Sequence, residues 1–290
     1  MSLYPMYARP RSVEEAVGLL AGLSSGAVVV AGGQELMPAV NSGTLMPEVF
    51  IDVAGIEALR GIDFNEGVLS IGALTVHREL QGNALVGEHL PLLANSASQV
   101  GGGWQVHNRG TIGGNIVAMH PLYDIAPSLL ALEVELEIAD ESGVRTTAFA
   151  DVLTDTRHGL GSDSLLVRVL ARPQPSGSCW GYQKFKSTGG AYGSANAAAI
   201  VQLDGQSLSA VRLVVGAAAE KLEVIDLSHI VGKPWSEDVG RTIEAACREA
   251  ISQPLSDQQG DAEWRRAMAG VVARRAVQQA INSQREEGAA

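Results

Sequence analysis

The chain has 290 residues, 46 % hydrophobic and 18 % charged, a globular profile long enough for one large domain or two ordinary ones and too apolar for a disordered segment. A net charge of −11 argues against a nucleic-acid binder, which would carry a basic stripe. The arginine pairs Arg265–Arg266 and Arg274–Arg275 fall on one expected helix and read as its solvated or subunit-facing surface. Two cysteines, Cys179 and Cys247, are too few for an iron–sulfur cluster or a structural zinc. They read as reduced thiols of a cytoplasmic protein rather than a disulfide. No apolar run reaches the ~18 residues of a membrane span, and residues 1–9 lack the pattern of a secretory signal.

Taken in chain order, Ser12–Leu23 predicts a helix, with Ser12 and Glu15 as a capping box and Val13, Ala16, Val17, Leu20 and Leu23 on one face. Val28–Val30 is a short buried strand that runs into Gly32 and Gly33, and Val49–Val53 is a second strand. Leu69–Ala73 is a third, leading to a short helix capped by Thr75. Leu90–Val100 reads as a helix stopped by Gly101, Gly102 and Gly103. Val134–Ile138 alternates as a strand, and Leu165–Leu170 reads as another. The Pro-, Ser- and Gly-rich stretch 173–178 reads as a linker, which sets a domain boundary near residue 175. Strands at Ala195–Leu203 and Val211–Ala218 follow, then helices at Glu237–Ser252 and Asp261–Ser283. Strands followed by helices make this a separate α+β domain.

Two glycine-rich turns carry the chemistry. One is Ala31-Gly32-Gly33-Gln34-Glu35-Leu36, directly after a strand; the other is Arg109-Gly110-Thr111-Ile112-Gly113-Gly114-Asn115. Adjacent glycines permit positive φ and let backbone N–H groups converge on an anion such as a pyrophosphate. Thr111 and Asn115 add side-chain partners. Ordinary tight turns explain either one alone. The fingerprints of Rossmann and P-loop sites are absent. Gly22-Leu23-Ser24-Ser25-Gly26 matches the hydrolase elbow formally, but it follows a helix and precedes a strand, the reverse of what an elbow needs. His107, His120 and Asp124 have no familiar metal-ligand spacing. Asp124 reads either as a helix N-cap or as an acceptor for a cofactor hydroxyl.

In order, Ala31–Gln34, Pro47–Val53, Ile71–Thr75, Asn108–Asn115, Ala118–Pro127, Tyr182–Lys186 and Trp264–Val271 resemble the medium, FAD-binding subunit of the xanthine dehydrogenase and carbon monoxide dehydrogenase (molybdenum hydroxylase) family. The likeness runs over nearly the whole chain. It implies an α+β fold, with an FAD-binding domain of the vanillyl-alcohol-oxidase (PCMH) type over residues 1–175. A smaller α+β domain of the carbon monoxide dehydrogenase flavoprotein type follows over 176–290. The implied cofactor contacts are Val30, Ala31, Gly32, Gly33, Gln34, Glu35, Leu36, Ala73, Thr75, Thr111, Gly113, Gly114, Asn115, Asp124, Leu166, Lys184 and Tyr192. Asp124 falls on the ribityl or adenosine side and Tyr192 by the flavin ring. Neither a catalytic residue for substrate nor a metal ligand is implied in this chain.

The family pattern further implies a molybdenum-cofactor large subunit and a small subunit with two [2Fe–2S] clusters. It also implies a dimer of heterotrimers and an external electron acceptor, without nucleic acid or membrane span. Glu35 stands where the family often has Ser, Ala191 where it often has Asp, and Gln105-Val106-His107 where it usually has Gln-Ile-Arg. A stand-alone FAD oxidase of the same fold and a scaffold subunit without FAD are the alternative readings.

Overall fold

The computed structural model describes residues 5–23, 26–154, 160–161, 163–188 and 190–287. The Gly22–Gly26 match lies partly outside them. The chain forms two compact units that do not follow its order. The first takes Met1–Leu85, Trp104–Met119 and Glu133–Arg172; the second takes Val86–Gly103, His120–Leu132 and Pro173–Ala290.

In the first unit, β1 (Met6–Ala8), β2 (Ala27–Val30) and β3 (Val49–Asp52) form a parallel sheet with β3 in the centre. Parallel strands need a crossover, and α1 (Val13–Leu23) provides the one between β1 and β2. Ser12 Oγ accepts from the Glu15 N–H at 3.1 Å, and the Glu15 carboxylate accepts from the Arg11 N–H at 2.7 Å, so the box forms one residue wider than the standard pattern. Val13, Ala16, Val17 and Leu20 are buried at helical spacing. A second, antiparallel sheet has the order β4 (Ile62–Asn65), β5 (Val68–Gly72), β8 (Leu165–Ala171), β6 (Glu135–Asp140), β7 (Gly143–Ala148). Leu165 and Val167 of β8 share one core with α1, Val49 and Ile51.

The other N-terminal helices are short: α2 (Leu36–Asn41), α3 (His77–Gly82), α4 (Ala84–His89), α5 (Pro91–Ser98), α6 (Gly103–Arg109), α7 (Ile112–Ala118), α8 (Ile125–Ala131) and α9 (Phe149–Thr154). The helix expected after the third strand begins later than Thr75. Val76 is its N-cap residue, its N–H held by the Glu79 carboxylate at 3.1 Å, and Thr75 does not cap it.

The second unit is an antiparallel sheet, β12 (Glu223–Ile225), β11 (Ser207–Gly216), β10 (Ala195–Asp204), β9 (Ser178–Phe185), with α10 (Glu237–Ala250) and α11 (Ala262–Glu287) packed on it. The strand β9 has no counterpart among the expected elements. As an edge strand it mixes polar and apolar residues, which hides the alternation of a half-buried strand. The strand β10 begins Ala-Asn-Ala-Ala-Ala-Ile-Val with every residue buried. A run buried on both sides needs cover on both faces. α11 packs on the sheet, and α8, from the middle of the chain, packs against β10 and β11. α5 packs on β9. Small residues set the spacing at the α11 seam: a Cβ on Gly181 would overlap the Ala276 carbonyl, and Ala273, Ala276 and Ala280 line the same core.

The solvated arginine surface expected on α11 is corrected at Arg265. Its side chain is completely buried, and its charge is satisfied by carbonyl oxygens and Asp257. Arg266, Arg274 and Arg275 lie nearer the surface, and Arg266 and Arg274 pair with glutamates. Cys179 and Cys247 are both buried and neither is in a disulfide. Burial, and then the Glu244 charge, push the Cys247 thiol up to about 12.

Candidate functional site

The first glycine turn follows directly from β2. The run Val28–Val30 extends as a strand, and Gly33 then turns the chain at φ +70° into α2. Gly32 has a different reason to be glycine. A Cβ there would overlap the Arg109 carbonyl oxygen and lie 3.2 Å from the Gly110 Cα. The two glycine segments are therefore pressed together, backbone on backbone. Gln34 Nε2 donates to the Gly32 carbonyl at 3.3 Å. Among the described residues no group takes up the N–H of Gly32, Gly33 or Gln34. Glu35 is exposed at the N-terminal end of α2 and its side chain does not cap the helix. Val30, Ala31 and Leu36 are half-buried around the turn.

The second glycine segment corrects the sequence reading. It is the first turn of α7 rather than a loop, and neither Gly113 nor Gly114 has a positive φ. Thr111 is the N-cap, its hydroxyl accepting from the Gly114 N–H at 3.0 Å. The Ile112 N–H donates to the Thr75 carbonyl, the Gly113 N–H to the Ala73 carbonyl and the Asn115 N–H to the Thr111 carbonyl, each at 2.9 Å. These amides are spent on the fold and do not converge on an anion. Gly113 is small because a Cβ would sit 2.7 Å from the Ala73 carbonyl.

Side chains take over where those amides are used. Thr75 Oγ1, Asn115 Oδ1 and His77 Nδ1 are buried and have no partner among the described residues. Buried polar atoms are rarely left unpaired in a native protein, and the first two are left open to a polar partner. His77 was not among the sequence candidates, since a lone histidine opening a helix has no spacing signal. Its N–H donates to the Gly110 carbonyl at 3.0 Å. Its ring packs against the same residue, whose hypothetical Cβ would be 2.9 Å from His77 Nε2. Burial first, then the nearby His107, lower its imidazole to about 4. Leu166, also expected at the site, is buried within β8.

Three expected residues belong to the second unit: Asp124, Lys184 and Tyr192. Asp124 occupies the N-cap position of α8 but makes no capping bond. Its carboxylate accepts from Lys184 Nζ at 2.8 Å and from the Tyr182 hydroxyl at 3.0 Å, and Lys184 also donates to the Gln99 carbonyl at 3.0 Å. Both ion-pair side chains are only 2 % exposed. Burial pushes the Asp124 carboxyl up, while Lys184 and Tyr182 pull it back. The Tyr182 hydroxyl is raised by burial and by the Asp124 charge beside it. Tyr192 is 40 % exposed and stacks on His120 at 5.3 Å between centroids; His120 stacks in turn on Tyr123 at 5.0 Å. Among the described residues no cluster of three metal-ligating side chains forms.

The donor set of the first unit fits a flavin nucleotide. Open backbone N–H groups on the first turn suit the acceptor oxygens of a pyrophosphate, and the orphaned Thr75 and Asn115 suit a polar ring or ribityl chain. Residues 2–171 match the family model of the FAD binding domain in molybdopterin dehydrogenase, and residues 180–280 match that of the CO dehydrogenase flavoprotein C-terminal domain. The chain is 33 % identical over 277 residues to the carbon monoxide dehydrogenase medium chain of Hydrogenophaga pseudoflava, covering 93 % of this chain and 95 % of that one. It is 28 % identical over 277 residues to the nicotine 6-hydroxylase medium subunit of Paenarthrobacter nicotinovorans, covering 94 % and 96 %. Its fold is similar to that of carbon monoxide dehydrogenase from Hydrogenophaga pseudoflava, with TM-score 0.91 and 31 % identity over 97 % of this chain and 98 % of that one. The chain therefore belongs to the FAD-binding medium-subunit family of the molybdenum hydroxylases, an oxidoreductase family whose fold places an α+β FAD-binding domain before a smaller C-terminal one.

Proposed function

We propose that this chain is the electron relay of a heterotrimeric molybdenum hydroxylase. It stands between the two [2Fe–2S] clusters of a small partner subunit and an external acceptor. Substrate hydroxylation belongs to the molybdenum cofactor of a large partner subunit, and the assembly is a dimer of such heterotrimers. Bound FAD supplies the uptake and release of electrons. With two cysteines, both buried, this chain lacks the ligands for a cluster of its own. Two buried cysteines outside any disulfide support a cytoplasmic setting, and among the described residues no helix is long and apolar enough to cross a membrane.

The chain's residues bind and orient the cofactor. Gly32, Gly33 and Gln34 offer N–H groups to the pyrophosphate, with Val30, Ala31, Glu35 and Leu36 shaping the turn. Thr111, Gly113 and Gly114 hold the opposite wall, Ala73 supports Gly113, and Leu166 closes it with apolar surface. Thr75 and Asn115 supply the polar contacts their unpaired atoms call for. Asp124 and Lys184 serve the ribityl side chiefly by fixing the backbone around them, since each is already the other's partner. Tyr192 is the exposed member of its stack and is assigned to the flavin ring. The FAD-binding domain is assigned to residues 1–175 and the C-terminal domain to 176–290, with α5 and α8 lent to the latter.

The observation that supports this reading most directly is the set of open donors on the first glycine segment, in backbone contact with the second, together with the orphaned oxygens of Asn115 and of Thr75, which is hydrogen-bonded to Ile112. An absorption spectrum of the purified full chain, followed by FAD titration, tests it. Flavin bands without iron–sulfur bands, and binding at micromolar FAD, are expected. Failure to bind FAD at that concentration would favour a scaffold, and oxygen-dependent turnover of a small substrate by the chain alone would favour a free-standing oxidase.

A further inference from the structure

Among the buried charges, the guanidinium of Arg265 is used by none of the roles above. Its side chain is 0 % exposed. Nη1 donates to the Ser194 carbonyl at 3.0 Å and also to the Ala217 carbonyl; Nη2 donates to the Asp257 carboxylate; Nε reaches the Gly260 carbonyl at 3.4 Å. A planar fork that binds several acceptors at once can fix the geometry between chain segments, which an ammonium cannot do equally well.

Two of those acceptors lead to the same place. Ser194 lies two residues after Tyr192, and its hydroxyl donates to the Gln259 carbonyl at 3.1 Å. Ala217 follows β11 in a left-handed conformation, φ +59°, which a non-glycine residue keeps only when its surroundings hold it. Its N–H donates to the Pro121 carbonyl at 3.1 Å, and Pro121 follows His120. Nη1 thus ties the segment bearing Tyr192 through the Ser194 carbonyl, and through Ala217 and its bond to Pro121 it ties the segment bearing His120 and Tyr123, while Nη2 is anchored on Asp257. These are the three rings of the stack.

We propose that Arg265 is the positioning residue that sets the aromatic stack of His120, Tyr123 and Tyr192. The link to electron transfer rests on the assignment of Tyr192 to the flavin ring; the positioning role itself does not. Arg265→Lys keeps the charge and loses the fork.

Hydrogen exchange on the full chain without FAD reads the geometry. Amides in residues 190–194 and of His120, Leu122 and Tyr123 are expected to exchange about tenfold faster or more, the size of a lost charge-assisted hydrogen bond, with the β10–β11 ladder unchanged. In the FAD-loaded complex the flavin absorption bands and midpoint potential are expected to shift with it. Unchanged exchange in those two segments overturns the inference whatever the flavin does, and an equal rise across β9, β10 and β11, marking a merely structural role, overturns it too. A wild-type complex that binds no FAD overturns the relay reading and leaves the exchange result standing. Should Arg265→Lys fail to fold, Asp257→Asn weakens the guanidinium's partly exposed side, and a rise of about two- to threefold confined to the same segments is expected.

Discussion

At the scale of single residues, the cradle depends on atoms that are absent as much as on those present. Gly32→Ala places a methyl into the Arg109 carbonyl. The two glycine segments must then part, at a cost of about 1–3 kcal/mol for overpacking. A lower urea midpoint and loss of bound FAD on gel filtration are expected; an unchanged midpoint with flavin retained would show that the segments separate freely.

His77 gives a pH signature. Its folded value of about 4 lies below the ordinary 6.5, so between those values the unfolded chain binds the extra proton. Stability attributable to His77 is whole above pH 6.5 and falls as pH drops towards 4, by about 1.4 kcal/mol per unit at the steepest. His77→Gln should flatten the urea midpoint between pH 6.5 and 4 relative to wild type. An identical slope in both proteins would remove the histidine from the explanation.

At the scale of elements, short helices and an edge strand were the hardest to read from sequence. α1, with its capping box and five apolar positions, was legible because one helix face carries the whole signal. α7 was not: its seven residues, Ile-Gly-Gly-Asn-Ile-Val-Ala, hold two glycines, poor helix formers, and the helix exists because Thr111 caps it and Ala73 and Thr75 receive its first amides. β9 was missed, with only its first residue, Ser178, inside the stretch read as a linker, because its alternation is broken by Gly181 and by the polar residues of an edge. Gly181 is the place to test that element. Gly181→Ala meets the Ala276 carbonyl across the α11 seam, and a loss of about 1–3 kcal/mol is expected in urea unfolding. FAD affinity measured under native conditions should change little, because the seam belongs to the second unit and the glycine cradle to the first; a large drop in affinity at full folding would contradict that independence.

At the scale of the whole molecule, the chain visits its second unit three times. The C-terminal sheet has a face that its own helices do not cover, and α8 packs there with Ile125, Pro127, Leu129 and Leu130 buried. A fragment of residues 173–290 lacks that cover. It is expected to bind a hydrophobic dye and to sediment as aggregates, because apolar surface of this kind has no other partner. A monomeric fragment with cooperative unfolding would show that the sheet closes without α8.

The sequence by itself determined the cofactor class, the family and the position of both glycine segments, because glycine pairs, capping residues and apolar periodicity are local or carried in order along the chain. It also determined that no cluster could be ligated here, since cysteines can be counted. Only the tertiary structure decided what each polar group does. It spent the amides of Ile112–Asn115 on the fold, left Thr75 and Asn115 with unpaired oxygens, sealed Asp124 against Lys184, and buried an arginine that the sequence placed on a surface. The amides of Ile112 and Gly113, the Asp124–Lys184 pair and the carbonyls of Ser194 and Ala217 on Arg265 all join residues dozens of positions apart. Burial and hydrogen-bond satisfaction are properties of the packed neighbourhood, and no local pattern encodes which distant carbonyl will lie within reach.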